Sequence, residues 1–105
     1  MKKIYPRSIP HHDLVVQHLK DDPEFAALYL KGAIEEATDE EGQKILLTVL
    51  KRISEARGMQ KVAKKAGIPR QSLYRILSEK GNPRMDTFLA VIRALGLEMT
   101  FRPVS

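Results

Sequence analysis

Between Met59 and Ser78 the chain offers two short helical stretches, about Gln60 to Ala66 and Arg70 to Ser78, with only Gly67-Ile68-Pro69 between them. So short a link leaves no room for a flexible loop, and the two helices must cross directly against each other. That crossing is sterically demanding. Val62 and Ala66 on the first helix have to meet Ile68, Leu73 and Ile76 across the turn, while a small residue is required at the crossing point, which Ala63 supplies. Gly67, four residues after that alanine, is the turn glycine. The spacing is that of a helix-turn-helix, in which the second helix is held out to enter the major groove of DNA. An alanine and a glycine four apart recur in many helical proteins, so it is the complete set that makes the pattern specific. The competing reading is a helical hairpin that packs internally and meets no nucleic acid.

Charge separates the two readings. The formal charge is +5, but residues 1–50 carry 6 Lys/Arg against 9 Asp/Glu and residues 51–105 carry 12 against 4. The half that holds the tight helix pair is therefore the basic half. Positive charge concentrated in a small domain favours nucleic acid, because each phosphate it neutralises releases condensed counterions. A solvated lysine-rich face would show the same composition.

At 105 residues, 43% of them apolar, the chain suffices for one small core. No uninterrupted apolar run approaches the roughly 20 residues that cross a bilayer, and no charged n-region leads into an apolar h-region, so neither a membrane span nor a classical export signal is expected. There is no cysteine, which excludes disulfides, thiolate metal sites and cysteine nucleophiles and fits a cytoplasmic location.

Along the chain, residues 1–12 contain Pro6 and Pro10 without helical period and read as an extended arm, leaving 13–102 as a single helical domain. From Asp13, an N-cap candidate, Val15 and Leu19 share one face of a short helix ending near Lys20. Asp22-Pro23, a capping carboxylate before a proline at the first helical position, predicts a helix from about Pro23 to Ala37. A third helix from about Asp39 to Arg57 carries Ile45, Leu46, Val49, Leu50 and Ile53 at helical spacing, and Gly58 is its natural stop. After the helix pair, Gly81-Asn82-Pro83 forces a turn, Asp86 is the expected cap of a last helix facing Phe88, Leu89, Ile92 and Leu95 to the core, and Gly96 ends it. Leu97, Met99 and Phe101 alternate with Glu98, Thr100 and Arg102, which is strand period. A lone strand leaves its backbone groups unsatisfied, so this one calls for a partner, either Lys3-Ile4-Tyr5 or the same strand of a second subunit. The expected fold class is all-α, five or six helices with a short C-terminal β-strand.

Helix geometry singles out the residues that would touch DNA. With Leu73 and Ile76 in the core, Arg70, Gln71, Tyr74 and Arg75 project from the other side near the helix N-terminus and are the base-contact candidates. Arginine forks match guanine O6 and N7, and glutamine matches adenine N6 and N7. For Tyr74 the alternative is a ring half packed on the preceding long helix with only its hydroxyl outward. Ser72 is a phosphate or capping candidate; Gln60 and Lys61, at the start of the first helix of the pair, and Lys64, Lys80, Asn82 and Arg84, flanking the groove, complete the phosphate candidates. His11, His12 and His18 are the only imidazoles, and no metal site is expected from them. Glu35-Glu36 and Glu40-Glu41 lack a nearby nucleophile and there is no phosphate-binding glycine loop, so no enzyme activity and no cofactor are expected.

The segment from Met59 to Leu95 resembles the Xre/Cro/C1, lambda-repressor-like helix-turn-helix family, including Gly81-Asn82-Pro83 and Ala94-Leu95-Gly96. More narrowly, Ala56-Arg57-Gly58-Met59, Arg70-Gln71-Ser72-Leu73-Tyr74-Arg75, Gly81-Asn82-Pro83 and Ala94-Leu95-Gly96-Leu97 together resemble the probable addiction module antidote proteins, which are HigA-like antitoxins. The resemblance runs back through Tyr29-Leu30 and Ile34-Glu35-Glu36-Ala37, covering about Asp13 to Phe101. It departs at Pro69, where a capping serine is common, at Gln71, where glutamate often stands, and in the arm of residues 1–12. The resemblance implies a homodimer that represses its own operon by binding operator DNA and neutralises a small basic toxin, a RelE/HigB-like ribonuclease. The acidic stretch Asp21 to Glu41 would be the docking face for it, with Glu35, Glu36, Glu40 and Glu41 the toxin-docking candidates. A free-standing Xre-family repressor without a toxin would share every DNA-facing feature.

Overall fold

The computed structural model describes residues 17–20, 22–78 and 80–104. Among them the chain is entirely helical in its regular structure: α1 is described over residues 17–20, followed by α2 (Pro23–Glu35), α3 (Glu40–Arg57), α4 (Met59–Ala66), α5 (Arg70–Ile76) and α6 (Met85–Ala94). The expected extended arm, the Asp13 cap, Val15 and the strand candidate Lys3-Ile4-Tyr5 lie outside the described residues.

Local chemistry explains where the helices begin. Asp22 caps α2, its Oδ1 accepting from the backbone N–H groups of Glu24 at 3.0 Å and Phe25 at 3.2 Å, and Pro23 follows at a position whose missing N–H costs nothing. Asp39 does the same for α3, accepting from the Gly42 N–H at 2.7 Å. The expected cap of α6 is corrected: Arg84 occupies the N-cap position and Asp86 sits inside the first turn, where its carboxylate accepts from the Thr87 N–H at 2.8 Å. The turn from Gly81 to Pro83 lets the helix start one residue before the aspartate.

The core forms around α3. Leu50, Ile53 and Val49 are fully buried there, and α2 adds Ala26, Tyr29, Leu30 and Ala33 across the interface. Truncating any one of these aliphatic side chains to alanine in such a core costs about 2–5 kcal/mol for a leucine. Tyr29 keeps its hydroxyl satisfied by accepting a hydrogen bond from Arg52 Nη1 at 3.3 Å. Burial raises the Tyr29 pKa above its ordinary value, with the Arg52 guanidinium opposing.

Gly58 alone separates α3 from α4. α4 then packs on α3, α5 and α6, which makes this eight-residue helix the hub of the second half. Val62 and Ala63 are its buried face. α6 contributes Val91 and Ile92, closed by Leu95, while Phe88 and Leu89 are only half-buried.

The expected C-terminal strand does not form in the single chain. Residues 97–104 belong to no helix or strand, and Phe101 is 87% exposed and Val104 98%. A strand is stable only with a neighbour that takes its backbone groups, and no described segment lies alongside as one. Only Leu97 is held, its N–H bonding back to the Ile92 carbonyl at 3.2 Å after Gly96.

Candidate nucleic-acid interface

The pair α4 and α5 is joined as the spacing requires. At the end of α4, Gly67 takes the left-handed conformation at φ 72° and ψ 32°, which lets the Ile68 N–H reach back to the Ala63 carbonyl at 2.9 Å. That six-to-one bond closes the helix and swings the chain into α5 within two residues. Ala63 is 3% exposed at the crossing and Val62 1%. Across it, Leu73 is fully buried and Leu77 is 2% exposed, whereas Ile68 and Ile76 are half-buried. The second core position is therefore Leu77 rather than Ile76. Leu73 and Leu77 stand one helical turn apart, and the chain is still turning at Leu77, whose N–H bonds to the Leu73 carbonyl at 3.0 Å.

With Leu73 inward, the opposite side of α5 is presented to solvent. Arg70, Gln71 and Arg75 are exposed and Tyr74 is half-buried, and their i, i+1, i+4, i+5 spacing puts all four on one face. No side chain caps α5; Pro69 precedes it, so the expected capping alternative for Ser72 is not realised and that residue is half-buried. Tyr74 packs against the core and is flanked by two cations: Arg70 Cζ lies 5.8 Å from the ring centroid and Lys51 Nζ 5.9 Å. Both are within cation–π reach and favour one ring orientation. Sequence reasoning missed Lys51, which belongs to α3 and comes to Tyr74 only through packing.

Gln60, Lys61, Lys64, Lys80, Asn82 and Arg84 are all exposed. Gln60 and Lys61 stand in the first turn of α4, which no side chain caps. Arg84 is engaged by Asp86, Nε to Oδ1 3.4 Å, but both side chains are more than 70% exposed and the pair is weakly held. The Asp86 carboxyl is held below its ordinary pKa, chiefly by the Thr87 N–H and then by Arg84.

The loop after α5 is built on one contact. Gly81 donates its N–H to the Ser78 carbonyl at 2.8 Å, and a Cβ there would stand 1.9 Å from the Ile76 carbonyl oxygen. Only glycine fits, so Gly81 sets where Lys80 and Asn82 emerge beside α5.

The four acidic candidates sit together at the junction of α2 and α3. Glu40 and Glu41 occupy the first turn of α3, where the helix dipole favours them. Glu35 and Glu36 stand at the end of α2, where no basic residue offsets the dipole within the last turn; Lys31 reaches Glu35 from one turn back, at 3.3 Å. Glu35, Glu40 and Glu41 are exposed and Glu36 is half-buried. His11 and His12 lie outside the described residues, and the His18 ring lies 5.3 Å from that of Phe25. No described helix is long and apolar enough to cross a membrane.

An uncharacterized protein of Haemophilus influenzae is 38% identical over 84 residues, covering 80% of this chain and 81% of its own. No solved structure matches. The family described as probable addiction module antidote protein matches residues 10–103, a span that includes every described helix. Over that span, the chain belongs to the family of probable addiction module antidote proteins.

Proposed function

We propose that this protein is the antitoxin of a type II toxin–antitoxin module, a HigA-like member of the Xre, lambda-repressor-like group. In this reading α4 and α5 form a DNA-reading helix-turn-helix. The observation that carries it is the disposition of α5: Leu73 is wholly buried while Arg70, Gln71 and Arg75 stand exposed on the opposite face. That is the arrangement a major-groove helix needs, donors outward and anchor inward. Gln60, Lys61, Lys64, Ser72, Lys80, Asn82 and Arg84 would hold the flanking phosphates, and Tyr74 would share in base contact. Bound as a homodimer to two half-sites, the protein would repress its own operon.

The second activity is neutralisation of a small basic toxin of the RelE/HigB-like ribonuclease type. Family membership supports a toxin partner, and the acidic junction of α2 and α3 supports its location. Glu35 and Glu36 stand at the unfavourable end of a helix dipole, where negative charge costs a few tenths of a kcal/mol to about 1 kcal/mol. A cationic partner would offset that cost.

Co-expression with the product of the adjacent small reading frame tests the reading. Growth rescue together with co-purification is the expected result. A neighbour that is harmless and does not bind would overturn the antitoxin role and leave a free-standing repressor. Binding to duplex DNA from upstream of the reading frame should fall steeply between about 50 and 200 mM salt, and a flat salt dependence would overturn the DNA role as well.

A further inference from the structure

Residues 98–104 end the described chain as an exposed segment that continues the strand alternation begun at Leu97, and no strand lies beside it among the described residues. Between this segment and α2 lies an open groove of about 980 Å³, bordered by Leu30 and Ile34 on one side and by Met99 and Phe101 on the other. Phe101 is 87% exposed and Met99 38%, apolar surface of the kind that marks an interaction site. Among the described residues, no backbone group of 98–104 is bonded to another backbone group.

The sequence of the segment matches itself in reverse. Turned antiparallel about Thr100, Glu98 falls opposite Arg102 and Met99 falls opposite Phe101, and both relations repeat on the far side of the axis. Glu98, Thr100 and Arg102 then share one face of the ribbon, and Leu97, Met99, Phe101 and Pro103 the other. Opposite charges and paired apolar side chains directly across an antiparallel ladder are the stabilising arrangement. Pro103 fixes the phase of the ladder, because a residue without an N–H has to stand in a non-hydrogen-bonded pair. The odd positions are therefore the close, non-hydrogen-bonded pairs, which brings Met99 against Phe101. The even positions exchange both N–H and carbonyl bonds.

We propose that this segment is the dimer interface: it pairs antiparallel with the same segment of a second copy of this chain, Thr100 on the two-fold axis, with its apolar face laid over α2. The inference rests on the dimeric repressor reading and names the surface which that reading leaves open. Two copies joined this way satisfy each other's strand edges, which the described residues of a single chain leave open.

The test is a charge swap read by sedimentation equilibrium on the whole chain without DNA. Glu98→Arg and Arg102→Glu each place like charges opposite one another and should raise the dimer dissociation constant by roughly 10-fold or more, about 1.4 kcal/mol. The double variant Glu98→Arg/Arg102→Glu restores opposite charges and should return to within about 3-fold of the parent. Both positions are exposed, so thermal unfolding of the variants checks that the body is intact. A parent chain that is monomeric throughout, a dimer indifferent to either single reversal, or a double variant that fails to recover overturns the proposal. Binding to the same upstream duplex separates this result from the reading it rests on. Salt-sensitive DNA binding that persists in monomeric Glu98→Arg upholds the helix-turn-helix and the interface together. Loss of the dimer proposal with that binding intact would leave the helix-turn-helix standing.

Discussion

At the residue scale, the two sides of α5 separate packing from recognition. Arg75 is exposed with nothing on the core side to hold it, so Arg75→Ala should leave the fold unchanged, lower operator affinity by about 1–3 kcal/mol and relax preference at one base position. Lys80→Ala should weaken all duplexes alike and reduce the salt slope by about one. Comparing the two variants on specific and scrambled duplexes checks the orientation of α5, and unchanged base preference in Arg75→Ala would show it to be wrong. Gly81 belongs to the other class. A methyl group 1.9 Å from the Ile76 carbonyl cannot be accommodated, so Gly81→Ala should shift the end of α5 and lower the melting temperature measurably. Gly67→Ala meets no atom but must hold φ at 72°, a strain of roughly 1–2 kcal/mol.

At the element scale, helix starts were legible because each depends on one or two neighbouring residues. Asp22 before Pro23 caps α2 where expected, and Asp39, expected as about the first residue of its helix, stands one position earlier as the cap of α3. Replacing either aspartate with alanine should cost about 0.5–2 kcal/mol, measured by urea unfolding. Asp86 stands two positions inside the observed cap, Arg84, because the backbone entering α6 comes from the Gly81–Pro83 turn, whose direction a linear pattern does not encode. Alternation at 97–101 is equally clear, yet strand formation depends on a partner strand that no other described segment of the chain supplies. Leu77 in place of Ile76 is a third case, since both fit helical period and only the crossing with α4 decides which is covered.

For the whole molecule, the charge division of the sequence becomes a division in space. The acidic residues gather where α2 meets α3, while exposed cations line α4, α5 and the turn before α6. Reversing Glu35, Glu36, Glu40 and Glu41 to lysine should weaken a toxin complex strongly while leaving DNA affinity equal or higher, by co-purification at low salt. Unchanged toxin affinity would exclude this face as the docking surface. Alkaline stability tests the packing of α2 on α3. The Tyr29 pKa is raised in the folded chain, so its contribution is complete below the unfolded value near pH 10 and is lost as pH rises from there through the folded value. Tyr29→Phe should flatten that alkaline decline in unfolding free energy.

Local pattern is enough for the helices from α2 onward, the Asp22 cap of α2, the tight α4–α5 turn and the polarity of charge, because each is written in neighbouring residues or in a repeat of three to four. The tertiary structure alone decided that Lys51 and Arg52 of α3 reach Tyr74 and Tyr29, 23 residues away in each case, and which half-covered side chains close the core. It also decided that the alternating segment after Gly96 finds no partner strand among the described residues. Contacts between distant parts of the chain depend on how helices cross, and crossing is set by the packing of the whole core rather than by any local pattern.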